Sequence, residues 1–231
     1  MIDFRRLDGR GNFYFLRHGE SEGNSAGVIQ GRRDYPLARR GREQAREAAR
    51  WFADRQIERL FCSPLARAHE TAEIVAAELG LGAAEAVAEL NELDTGLFTD
   101  LSIPQIKERH PQQWRSFQSH SWEGVRDAEP IASLYARAEA LWERLAREFE
   151  GGTSNILCVT HSGIMQWIVK VTVGHRDWMP LVPMGNCAIS HFSLDNRLDP
   201  ERVRYYFEWS RLNFQPFGES RPDGHLFLKG R

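Results

Sequence analysis

The sequence predicts an α/β fold: a three-layer α/β/α sandwich around a mixed, mostly parallel sheet of about six strands, with a small helical insertion. Three observations carry this reading. Short apolar runs rich in strand formers, such as residues 13–16 and 155–160, recur along the chain. Longer stretches between them place apolar residues on a helical period. The last two strand-like runs, 187–194 and 202–209, flank residues 195–200 and pair antiparallel, which makes the sheet mixed.

The elements follow in order. Residues 13–16 are the first buried strand; it stops at Arg17-His18, and Gly19 permits a sharp turn. Residues 40–55 are helical, with Ala45, Ala48, Ala49 and Phe52 on one face. Residues 57–62 are the next strand. Ser63 is then the N-cap and Pro64 the first position of a helix that runs to Leu79 and stops at Gly80. Residues 86–90 read as a strand. Residues 131–149 form an amphipathic helix through Leu134, Ala138, Leu141, Leu145 and Phe149, ended by Gly151-Gly152. Residues 155–160 are a strand and 164–173 a buried helix. In the final strand Val203, Tyr205, Phe207 and Trp209 alternate with polar neighbours, except Tyr206. Residues 212–231, rich in Gly, Pro and polar side chains, form a surface tail. The division expected is one domain over 1–231, with an insertion at about 97–130.

Composition sets bounds on function. The chain has 231 residues, 42% of them hydrophobic, which suits one sizeable domain. A net charge of −2 gives no global case for nucleic acid or an acidic membrane. No apolar run is long enough to span a bilayer. Residues 1–10 are polar and charged, so no secretory signal is visible. Cys62, Cys158 and Cys187 sit in apolar runs, an odd count that fits a reducing cytoplasm. His110 and His120 lack partners at metal-ligand spacing, so no metal site is expected. Neither a GxGxxG run nor a P-loop is present, so no cofactor is implied.

The chemistry gathers at strand ends, where α/β folds hold their ligands. Arg17-His18 offers a forked donor for phosphate oxygens beside an imidazole, a competent nucleophile when neutral. The strand 155–160 ends in His161-Ser162-Gly163 and leads into the helix 164–173, and a helix N-terminus favours an anion. Arg67 lies in the first helical turn after the strand 57–62. Glu92 and Asp94 follow the strand 86–90. Taken singly, His161 reads better as a cap, Arg67 as a solvated charge and Glu92 as a loop carboxylate. Together they put two Arg, two His and a carboxylate at the ends of four strands.

These residues carry a resemblance. Leu16-Arg17-His18-Gly19-Glu20-Ser21 with Asn24, Gly31 and Pro36-Leu37 is similar to the first block of the histidine phosphatase (phosphoglycerate-mutase-like) superfamily. Residues 63–72, Glu92 with Gly96, and Val159-Thr160-His161-Ser162-Gly163 match its later blocks in order. The resemblance implies that His18 is the phosphorylated nucleophile. Arg17, Arg67 and His161 would grip the phosphoryl oxygens, Asn24 would add a neutral donor, and Glu92 would donate and then accept a proton. Nearby positive charge should favour neutral His18, and facing phosphate should push Glu92 towards its protonated form.

The function expected is hydrolysis of a phosphomonoester, a small phosphorylated metabolite, through phosphohistidine in the cytoplasm. Monomer and homodimer are both open. The alternatives are a cofactor-dependent phosphoglycerate mutase and a non-catalytic binding module of the same fold. Asn91-Glu92-Leu93-Asp94-Thr95-Gly96 looks like the phosphatase branches rather than the mutases' Glu-Arg-His-Tyr-Gly. Arg32 and Arg33 hold a second anionic group or are merely solvated. The aromatics of 98–129, Trp114, Phe117 and Trp122 among them, form a substrate lid or an ordinary packed cap.

Overall fold

A computed structural model describes residues 3–178, 184–197 and 206–217. Six strands form one sheet: β1 (Arg10–Arg17), β2 (Arg59–Cys62), β3 (Glu85–Ala86), β4 (Asn155–Thr160), β5 (Ile189–Asp195) and β6 (Tyr206–Phe214). Their order is β3-β2-β4-β1-β5-β6. The pairs β3–β2, β2–β4 and β4–β1 are parallel, and β1–β5 and β5–β6 antiparallel. The helices are α1 (Glu22–Ser25), α2 (Arg39–Phe52), α3 (Ala66–Leu79), α4 (Ile103–Arg109), α5 (Pro111–His120), α6 (Ile131–Glu150) and α7 (Ser162–Val173).

The three layers follow from the period-2 alternation of the central strands. Phe13 and Phe15 of β1, with Ile156 and Cys158 of β4, join Leu141, Trp142, Leu145 and Ile168 of α6 and α7 in one apolar cluster. Their neighbours Tyr14, Leu16, Leu157 and Val159 point the other way, onto Ala45, Ala48, Phe52, Ala72 and Val75 of α2 and α3. Each fully buried Phe or Leu contributes about 1.5–3 kcal/mol of transfer free energy, so both faces are strongly specified. A one-residue slip of β1 would invert both clusters. Trp142 is the hub of the first layer. Phe4, Phe13, Phe15 and Phe192 pack on its ring, and its Nε1 donates to the Ile168 carbonyl at 2.9 Å, fixing α6 on α7.

Some boundaries differ from the expectation. Helix α3 begins at Ala66, with extended Leu65 as N-cap, rather than at Pro64. The reason is tertiary: Asp34 Oδ1 accepts the Ala66 N–H at 2.6 Å, while Ser63 Oγ turns to Asn91 and the Leu65 N–H. The strand at 86–90 shrinks to Glu85–Ala86, and Ala88–Leu90 is a 3₁₀ turn. Its partner β2 ends at Cys62, so the ladder has nothing further to pair with; the Leu90 carbonyl accepts Thr160 Oγ1 instead. Helix α7 starts at Ser162, two residues early, with His161 as its N-cap. The strand expected at 202–209 runs over Tyr206–Phe214, so Leu212 to Phe214 belong to the sheet and not to a tail. Val203, Tyr205 and residues 218–231 lie outside the described residues.

Candidate active site

Strand register builds the centre of the site. Arg17 of β1 lies level with Thr160 of β4, and the His18 N–H donates to the Thr160 carbonyl at 2.9 Å. The next residue of each strand is therefore a histidine at the same height. The His18 and His161 rings lie 5.0 Å apart, centroid to centroid. His18 Nδ1 faces the Gly19 carbonyl at 2.7 Å. A carbonyl only accepts, so Nδ1 carries the hydrogen and Nε2 keeps its lone pair. Arg67 Nε donates to that Nε2 at 3.3 Å.

Burial first, then the Arg67 and Arg17 charges, holds the His18 imidazole well below the ordinary histidine pKa. Burial and the same guanidiniums do so for His161. Both ring nitrogens of His161 are buried with no partner among the described residues. Buried polar atoms are seldom left so, and here their ring lies beside that of His18. Arg67 is only 1% exposed, and burial pushes its pKa down to about 10. One N–H of each Nη goes to a neutral acceptor, Nη2 to the Gly31 carbonyl and Nη1 to that of Arg33, each at 2.8 Å, so its charge faces no carboxylate hydrogen-bond partner among the described residues. Arg17 donates to the Met184 carbonyl. Two cations and two neutral imidazoles thus converge on one point.

A profile of the histidine phosphatase superfamily (branch 1) matches residues 13–204. The chain belongs to this superfamily. Among its relatives, a probable 2-carboxy-D-arabinitol-1-phosphatase of Arabidopsis thaliana is 28% identical over 80% of this chain and 38% of its own length. A probable phosphoglycerate mutase GpmB of Escherichia coli O1:K1 is 28% identical over 80% of this chain and 86% of that protein. The solved mycobacterial glucosyl-3-phosphoglycerate phosphatase has the same fold, with a TM-score of 0.72 and 24% identity over 86% of this chain and 98% of its own. The superfamily thus holds phosphatases and mutases alike.

The remaining expected residues divide. The Glu92 carboxylate sits on the N-terminus of α7. Oε1 accepts the Leu93 and Ile164 N–H groups at 2.8 and 3.0 Å, and Oε2 accepts only that of Gly163, at 3.2 Å. Gly163 therefore gives its N–H to Glu92 rather than to an incoming anion. A Cβ at position 163 would collide with that carboxylate. Ser162 keeps its N–H and hydroxyl without a partner among the described residues. Gly19 is needed for close approach: a Cβ there would strike the backbone of Gly41 at the start of α2. Asn24 Oδ1 is taken up by Ser21 and by Asn186 Nδ2, which leaves the amide nitrogen as the end able to donate outward.

Arg32 and Arg33 each have a carboxylate partner. Arg32 Nη2 lies 2.9 Å from Glu129 Oε2, and Arg33 Nε 2.7 Å from Asp100 Oδ2. With Asp34, Tyr35 and Asp100 they line an open cleft of about 620 Å³. The insertion's aromatics pack on one another: Phe117 lies 5.7 Å from Phe98 and 5.0 Å from Trp122, and the group joins the main core. That is the ordinary packed cap. Sequence reasoning missed Asn186, 4% exposed, whose amide bridges the His18 carbonyl and Asn24. Its one local signal was a polar residue between Gly185 and the apolar run that begins β5. It also missed Glu129 and Arg137, which lie beneath the Glu92 loop.

Proposed function

We propose that this protein hydrolyses phosphomonoesters of small metabolites through a phosphohistidine on His18. The observation that carries the reading is the tautomer: Nδ1–H is tied to the Gly19 carbonyl, and the Nε2 lone pair accepts from Arg67 Nε, a donor that turns to the phosphoryl oxygens as Nε2 attacks. Nε2 attacks phosphorus, and the bond to the leaving oxygen breaks. That oxygen takes a proton from Glu92. Water then attacks phosphorus and gives a proton back to Glu92 while the N–P bond breaks, returning His18. Oε2 is the oxygen suited to carry the proton, since it accepts one backbone bond where Oε1 accepts two.

Arg17, Arg67 and one N–H of His161 stabilise the charge on the transferring group. Asn24 Nδ2 and the Ser162 N–H complete the donor set. No step is routed through a metal ion. The leaving group lies towards the cleft of Arg32, Arg33, Asp34, Tyr35 and Asp100, which offers both cations and carboxylates. A mutase would pass the same phosphoryl group to a second hydroxyl, and the ratio of phosphate released to isomer formed separates the two.

Rapid quench with p-nitrophenyl phosphate tests the central step. Acid-labile, base-stable phosphate is expected on His18, and His18→Ala should fold yet lose nearly all turnover. Label on Ser, Asp or His161 would overturn the assignment.

A further inference from the structure

Glu129 and Arg137 belong to no expected site, yet they form the most densely bonded polar cluster beside it. Glu129 closes the insertion and is 8% exposed. Arg137 of α6 forks onto it, Nε to Oε1 at 3.1 Å and Nη2 to Oε2 at 2.8 Å. Arg32, from the loop that follows the nucleophile, adds Nη2 to Oε2 at 2.9 Å. Ser133 Oγ and the Asp94 N–H complete the carboxylate's shell at 2.9 and 3.3 Å.

Both guanidiniums then reach past Glu129 to the same peptide. Arg137 Nη2 donates to the Glu92 carbonyl at 3.3 Å, and Arg32 Nε to that carbonyl at 3.2 Å. Arg137 Nη1 also holds the carbonyls of Glu89 and Asn91. Four peptide groups of the segment 89–94 are thereby fixed by one ion cluster. The Glu92 side chain leaves this anchored backbone for the N-terminus of α7.

A buried ion cluster is a weak source of stability compared with apolar packing. Its placement fits a different purpose, since a displacement of 1 Å in a reacting group is costly. We propose that Arg137, Glu129 and Arg32 are positioning residues that hold the Glu92 carboxylate on the Gly163 and Ile164 amides. Through one carboxylate they lock the acid loop to the nucleophile loop, the insertion and α6. Lysine cannot replace Arg137, because an ammonium has no fork to serve Glu129 and three carbonyls together.

The test has two readouts. The first is amide hydrogen exchange, which needs no activity. In Arg137→Met and Glu129→Gln, exchange at Gly163 and Ile164 should quicken by about tenfold or more, while β1 and β4 amides keep their rates. The second rests on the phosphatase reading: Arg137→Lys should lose roughly 10–100-fold in kcat on an alkyl phosphate and at most about threefold on p-nitrophenyl phosphate, whose leaving group needs no proton. Arg32→Gln removes a half-exposed side chain and should shift the Gly163 and Ile164 amides in the same direction, which keeps the test alive if Arg137→Met does not fold. Unchanged exchange at those two amides, equal acceleration at all amides, or equal loss on both substrates would each overturn the inference. A failure to trap phosphohistidine would instead sink the phosphatase reading and leave the exchange result to decide this one.

Discussion

At position 163 the absence of a single methyl group decides where the Glu92 carboxylate can lie. Glycine there lets the Glu92 carboxylate lie against the first turn of α7. Alanine would occupy that space and press on Leu93 Cβ, 2.9 Å from the added methyl, a cost offset by a helix propensity that favours alanine by up to about 1 kcal/mol. Gly163→Ala should therefore leave the urea midpoint nearly unchanged and lower turnover of an alkyl phosphate by about 10²-fold. Full turnover in this variant would show that Glu92 needs no seat on α7. The residues we propose to act directly, Arg17, His18, Arg67, Glu92 and His161, were legible because each has a chemically telling side chain near a strand end. Glu129, Arg137 and Asn186 were not, because they work on backbone groups that only the fold brings near. Arg137 touches peptides 45 to 48 residues away in sequence, a separation no local pattern encodes. The pair Arg32-Arg33 was visible, but not the carboxylates that claim each of them.

At the scale of elements, alternation and periodicity located most strands and helices, and chain ends were lost where a tertiary partner replaced a local one. The start of α3 is the clearest case. Ser63-Pro64 has the composition of a helix start, yet Asp34 supplies the bond to the Ala66 N–H. That bond joins the loop after His18 to the helix that carries Arg67. Asp34→Ala should cost about 1 kcal/mol, the usual worth of a cap. It should also raise KM for p-nitrophenyl phosphate, because Arg67 is the next residue along the helix. A loss of stability with KM unchanged would make Asp34 a cap and nothing more. The strand at 86–90 was over-read for a related reason: residues 86–90 carry no sign that β2 stops at Cys62.

For the whole molecule, two buried imidazoles and one half-buried one set the response to acid. His18 and His161 are held below their ordinary range by burial and by the site's guanidiniums. His191, on β5, stacks on Tyr14 with centroids 4.4 Å apart, and burial, then Arg211 and Arg55, lowers its pKa to about 4. An unfolded histidine takes its proton near pH 6.5. Below that pH the unfolded chain binds protons that the native state refuses, so stability is full above about 6.5 and falls as pH drops. For His191 the loss continues to about pH 4. The carboxylates that are held below their usual range, Asp3, Glu89, Glu129 and Asp195, act only at lower pH, beneath the ordinary carboxylate range. The interval between about pH 6.5 and 4.5 is therefore the histidines' own. The urea midpoint should be flat from pH 8 to 7 and decline through that interval. His191→Phe keeps the stack on Tyr14 and removes one titrating group, so its midpoint should decline less steeply between pH 6.5 and 4.5. Equal slopes for the variant and the parent would mean that His191 protonates freely in the folded state. Catalysis should not follow the same curve: with His18 held neutral well below pH 6.5, formation of the phosphoenzyme should persist at acidities where the fold is already weakening.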